Sequence, residues 1–192
     1  MSNRVDFVGY HGTSKESGDK ILNESFLKSD TLDEWLGKGV YFFISGISDP
    51  KNDAECWAKK MAYDNDSHVL KYDKLKVLKS KISATDDQIL DLDTNKGKIF
   101  FSTFRRKFYK KLETARKEME KDCSDCFFIE LIAKKNVTFK PLKIVKGMMP
   151  VKLTKSDGFK GTFTRVPNCT ILAVRDNGCI SETEESLEDT VK

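Results

Sequence analysis

The 192-residue chain has no apolar run near the roughly 18 residues that a membrane-spanning helix needs, so no membrane partner is expected. Its start, Met1-Ser2-Asn3-Arg4-Val5-Asp6, lacks the apolar centre of a signal peptide. Export by that route is therefore not expected, and a cytoplasmic location is. No internal repeat is visible, which argues against a repeat architecture. Cysteine comes in an odd number, five, so the thiols cannot all pair within one chain, and without an export signal they read as reduced. Cys123-Ser124-Asp125-Cys126 is a CxxC, but Cys169 and Cys179 stand too far apart to complete the usual zinc pattern. The cysteines are accordingly expected to be buried thiols, with no metal. Charge of one sign is not in large excess either. The net value of +4 is too small to require a nucleic-acid partner, although Arg105 to Lys117 is strongly basic and Ser181 to Asp189 acidic.

What is present is an ordinary soluble mix, 39% apolar and 33% charged, long enough for one domain with a core of its own. Residues 5–11 read as a short strand. Thr13 and Glu16 fit a capping box, which starts a helix burying Ile21, Leu22 and Phe26. Trp35 to Phe43 reads as a glycine turn feeding a strand. Asp53 to Tyr63 reads as a helix with Ala54, Trp57, Ala58 and Met61 on one face, and Val69 to Ile82 as a strand with its continuation. Residues 98–121 form the longest helical candidate, with Phe101, Phe104, Phe108 and Leu112 at helical spacing. Phe127 to Ala133 and Leu142 to Val145 are strand or buried-helix segments, and Thr170 to Val174 is a last core strand. Residues 181–192 have little to bury and are expected to be a disordered acidic tail. The expectation is one α+β domain over residues 1–180.

Two short motifs carry the chemistry. In Gly9-Tyr10-His11-Gly12-Thr13, a histidine stands where a strand gives way to a helix, and Gly12 allows a flat ligand to approach the backbone. About 30 residues later comes Trp35-Leu36-Gly37-Lys38-Gly39-Val40-Tyr41-Phe42-Phe43. With Ala54-Glu55-Cys56-Trp57-Ala58, the order and spacing resemble the ADP-ribosyltransferases of the diphtheria-toxin and poly(ADP-ribose) polymerase class, closest to small bacterial members. The resemblance is clear over residues 6–62 and looser as far as 170–174. It implies a mixed β-sheet core of that type with a basic helix inserted at 98–121. It also implies NAD⁺ as substrate, and transfer of ADP-ribose by an intracellular toxin or defence effector to a protein or nucleic acid. His11 would hydrogen-bond the adenosine-side ribose, Gly12 would face the nicotinamide amide, and Thr13 would touch ribose. Tyr41 would stack on the nicotinamide, and Trp57 would close the sandwich from the other side.

The third member of that signature, a glutamate on a late core strand, is missing: the matching position is Ile171, between Thr170 and Leu172. Single-unit transfer is therefore expected rather than chain elongation. Glu130 is a carboxylate in an apolar segment and reads as solvent-facing, and His68 lies in no motif and reads as structural or exposed. The charges of the basic helix read as the solvated face of an amphipathic helix. Arg105, Arg106, Lys107, Lys110 and Lys111, with Arg116 and Lys117, are nonetheless dense enough to meet a phosphate backbone. Two other functions fit the same residues: a catalytically inactive NAD⁺ or ADP-ribose-binding module, and a nucleic-acid-binding protein whose two motifs are coincidental.

Overall fold

The computed structural model describes residues 2–30, 34–64, 67, 69–119 (backbone only over 110–119), 124–134, 140–153 and 165–191. His68 and Cys123, and the side chains of Lys110, Lys111, Arg116 and Lys117, lie outside the described residues. The order of elements is β1 (Arg4–Ser14), α1 (Lys15–Asn23), β2 (Val40–Ile44), α2 (Pro50–Ala62), β3 (Tyr63–Asp64), β4 (Val69–Leu70), β5 (Lys74–Thr85), β6 (Ile89–Asp91), α3 (Asn95–Met119), α4 (Asp125–Lys134), β7 (Ile144–Met149), β8 (Cys169–Val174) and β9 (Ile180–Thr190). Seven strands form one sheet in the order β6-β7-β8-β2-β1-β5-β9, and β3 pairs with β4 apart from it. Only β6 and β7 run parallel; the other neighbours are antiparallel. The chain is thus α+β with a mixed sheet, and four α-helices fall among the described residues.

The sheet is covered on both faces, and strand alternation distributes the apolar side chains between them. Tyr41 and Phe43 of β2 join Ile171 and Ala173 of β8 and the apolar side of α4 on one face. Val40, Phe42 and Ile44 join Leu172 and Val174 on the other, beneath Phe26. All six residues of β8 are buried, as befits a strand near the middle of a sheet packed on both sides.

Several local expectations change because of partners distant in sequence. Strand β1 continues to Ser14, since Gly12, Thr13 and Ser14 pair with Val77, Lys76 and Leu75 of β5. With Thr13 held in that ladder, the helix cap passes to Ser14, whose Oγ accepts the Ser17 amide at 3.1 Å; a cap of this kind stabilises by about 1 kcal/mol. Leu22 is exposed, and Phe26 is buried only after α1 has ended. On α2 the buried stripe is Ala54, Ala58 and Ala62, at spacing four, while Met61 is exposed. Three alanines let that helix lie close on β1: a Cβ on Gly12 would stand 1.8 Å from the Ala54 carbonyl oxygen. The stretch from Val69 to Ile82 is broken at Lys71, whose amide donates to the Ala62 carbonyl, so β4 and β5 are separate strands. Residues 125–134 are a helix, with Cys126, Ile129 and Ile132 buried at spacing three.

The acidic tail is a correction. Residues 180–190 form β9, paired along β5 from Lys74↔Thr190 to Ile82↔Ile180. Its carboxylates meet lysines on the neighbouring strand: Glu184 with Lys79, Glu182 with Lys81, and Glu185 with Lys76. Composition alone gives a segment with little to bury; a complementary strand of opposite charge supplies both its backbone partners and its ion pairs.

Candidate functional site

The site begins where two strands part. β1 and β5 pair through eleven residues, but β1 and β2 pair only through Gly9↔Ile44 and Tyr10↔Phe43. Just past that point the His11 ring enters between them, its Nδ1 2.8 Å from the Tyr41 carbonyl oxygen. A carbonyl can only accept, so Nδ1 carries the hydrogen and the neutral ring keeps a lone pair on Nε2. Burial lowers the His11 pKa below its usual value and outweighs the opposing effect of the Tyr41 hydrogen bond, so the ring is held neutral. Phe26 meets it edge-on at 5.4 Å and Phe42 lies tilted at 5.8 Å.

The second motif is a clamped turn leading into β2. Gly37 has φ of 81°, the left-handed region that favours glycine. A Cβ there would also strike the Glu130 carboxylate at 2.7 Å. The Tyr41 hydroxyl accepts the Leu36 amide at 2.9 Å and donates to the Gly37 carbonyl at 2.7 Å, closing the turn on its own strand. Burial raises the Tyr41 pKa far above its ordinary value, so the phenol acts as a fixed hydrogen-bonding group. From α4, Glu130 accepts the Lys38 amide at 2.8 Å and takes both arms of the Arg175 guanidinium, one at 2.9 Å. The Glu130 side chain is only 19% exposed, so the expected solvent-facing position is corrected: its carboxylate is spent on the turn. Burial pushes its pKa up, but the Arg175 and Lys38 hydrogen bonds outweigh this and hold it below the ordinary value.

Between the parted strands, this turn and α2 lies a cleft of about 350 Å³. His11, Gly12, Tyr41, Trp57 and Ile171 all line it, so the two sequence motifs, the α2 tryptophan and the late strand converge on one space. Thr13 is not among the lining residues; its backbone pairs with Lys76 on β5. Gly12 touches the cleft, and the closest demand on it comes from the α2 backbone at the Ala54 carbonyl. Ile171 is 1% exposed and pairs with Phe43 and Gly147. A hydrocarbon there shapes the cleft and transfers no proton, so the catalytic position assigned to it carries no catalytic group.

Sequence reasoning passed over Leu27, Ser29, Glu34 and Trp35, which also line the cleft. Trp35 stands edge-on to Trp57 at 5.4 Å and to Tyr41 at 6.4 Å, so three aromatic rings wall one end. Its place directly before Leu36-Gly37 was the available signal. Lys60 sits over the Trp57 ring at 4.9 Å, a cation–π contact. Arg105, Arg106 and Lys107 are exposed on α3, with Arg105 paired to Asp125 at 3.0 Å, and none of the three lines the cleft. Cys126, Cys169 and Cys179 are buried and outside any disulfide, and Cys56 is half-buried.

The arrangement offers flat aromatic walls for a planar ring, a neutral imidazole and, among the described lining residues, one carboxylate. Comparison with protein-family models, with curated proteins and with solved structures returned no match to this chain.

Proposed function

We propose that this cleft binds NAD⁺ and that the protein is a mono-ADP-ribosyltransferase, its sheet a core of the ADP-ribosyltransferase type. The observation that carries the reading is the convergence of His11, Gly12, Tyr41 and Trp57 on one cleft. Its volume, about 350 Å³, falls in the range of small-ligand sites. In this reading the nicotinamide lies against Tyr41 with Trp57 and Trp35 around it, and His11 Nε2 accepts a ribose hydroxyl at the adenosine end. Nicotinamide is already cationic, so no strong acid is needed to expel it; holding the ring and ribose in a bent, fixed geometry is the larger demand. The exposed Arg105, Arg106 and Lys107 are the groups offered to a macromolecular acceptor, a nucleic acid included, outside the cleft.

A second reading, an NAD⁺- or ADP-ribose-binding module without turnover, is favoured by the aliphatic Ile171 where the resembled enzymes place a carboxylate. Titration with NAD⁺, followed by chromatography for free nicotinamide, separates the two. Saturable binding with nicotinamide release or transfer is the expected result. Binding without release selects the module, and no binding removes NAD⁺ from the cleft.

A further inference from the structure

We infer that Glu34 is the carboxylate that faces the reacting ribose in this cleft, an inference that rests on the NAD⁺ reading above. Among the described residues lining the cleft, Glu34 is the one carboxylate. The other acidic candidate, Glu130, has its oxygens engaged by Arg175 and the Lys38 amide and does not line the cleft. Strand β8 supplies none from Thr170 to Val174.

Glu34 is also held in place by a built connection. The Ser29 amide donates to the Gly39 carbonyl at 3.0 Å, a bridge that fixes Ser29 against the mouth of β2. From there the Ser29 hydroxyl donates to the Glu34 carboxylate, and Ser29 itself lines the cleft. Glu34 directly precedes Trp35, and both residues line the cleft in which the aromatic rings would hold nicotinamide. A negative group placed there meets the charge that develops on the ribose.

The step it serves is the breaking of the bond between ribose C1′ and the nicotinamide nitrogen. The electron pair leaves with nicotinamide and neutralises its ring, and C1′ becomes an oxocarbenium-like centre stabilised by Glu34. An acceptor hydroxyl, or water, then forms the new C1′–O bond, and its proton passes to solvent. Glu34 stabilises charge in this scheme; Ser29 is a positioning residue.

The test compares the full-length chain with Glu34→Gln, Glu34→Asp and Ser29→Ala, each checked for folding by circular dichroism. NAD⁺ affinity is read by titration and nicotinamide release by chromatography. Glu34→Gln is expected to leave affinity within about threefold while lowering turnover by roughly 100-fold or more, the pattern of a group that acts in the transition state. Glu34→Asp and Ser29→Ala are expected to fall between, about tenfold down in turnover. Turnover by folded Glu34→Gln at the wild-type rate overturns the inference and leaves the NAD⁺ reading standing. Wild-type binding without nicotinamide release overturns it as well, in favour of a binding module. A wild type that fails to bind NAD⁺ sinks the NAD⁺ reading first, and the assignment of Glu34 with it.

Discussion

The His11 imidazole takes the place of a strand partner: its Nδ1 lies 2.8 Å from the Tyr41 carbonyl, just beyond the last β1–β2 pair, Tyr10↔Phe43. One side chain thereby satisfies the backbone of the second motif and keeps the two strands apart.

That geometry gives a pH dependence. The folded pKa of His11 is depressed below 6.5 by burial, so the unfolded chain takes up the proton first as pH falls. The contribution of neutral His11 to stability is complete above about 6.5 and is lost as pH falls toward the folded value. Thermal unfolding should show a Tm that declines between pH 7.5 and pH 5, and His11→Gln should flatten the decline. An identical slope in the variant would show that His11 is not the titrating group.

Tyr41 separates ring from hydroxyl. Tyr41→Phe keeps the face toward the cleft and strands the Leu36 amide and Gly37 carbonyl, at a cost of about 1–3 kcal/mol in stability with NAD⁺ affinity close to wild type. Tyr41→Ala also loses the stacking surface, which should weaken NAD⁺ binding by roughly 1 kcal/mol or more. Denaturant melts and titrations on both variants distinguish the two losses. Equal affinity for Tyr41→Ala and wild type would remove the ring from the binding site.

Glu130→Gln is expected to act through the turn. It breaks a two-armed pair with Arg175 whose side chains are 19% and 16% exposed. Residual solvent keeps the loss below that of a fully buried pair, about 2 kcal/mol. With the carboxylate intact, its lowered pKa makes this stabilisation complete above the ordinary carboxyl range and removes it as pH falls through the folded value. The slope of Tm against pH below about 5 should therefore be smaller in Glu130→Gln. A stability equal to wild type would show that the clamp on the turn at Lys38 contributes nothing.

Any transferred product should be a single ADP-ribose unit per site. Elongation needs a second ribose hydroxyl to be activated by a positioned carboxylate. Ile171 offers hydrocarbon at the matching position, and Glu34 is a single group assigned to the ribose cation. Mass spectrometry of modified targets should show one increment at each site; a ladder of regular additions on one site would contradict this.

Removing residues 180–192 is expected to expose β5 along its length. Hydrogen exchange at Lys76 to Lys81 should accelerate by orders of magnitude in the truncated chain if it folds, and loss of folding has the same cause. Unchanged protection would mean that β9 is dispensable.

How much of this was legible depended on how local each signal was. His11 and Tyr41 announced themselves through glycines at fixed offsets, and Trp57 through helical spacing in α2; all three reach the cleft. Thr13 was misplaced because the choice between cap and ladder is made by Lys76, far along the chain on β5. Glu130 was misread because its partner Arg175 lies 45 residues away. β9 looked unstructured because it carries many charges and few apolar residues, and the lysines that answer it belong to another strand.

That same strand decides how the sheet meets other molecules. β9 is one border of the sheet, and β6, the other, is three residues long. An unpaired border is a template on which a second chain can build, and long, uncharged ones invite it. Here the long border carries five carboxylates, Glu182, Glu184, Glu185, Glu188 and Asp189. Two copies laid border to border would bring these groups into repulsion, and growth of the sheet from one copy into the next is opposed at that side by the very residues that fasten β9 to its own fold.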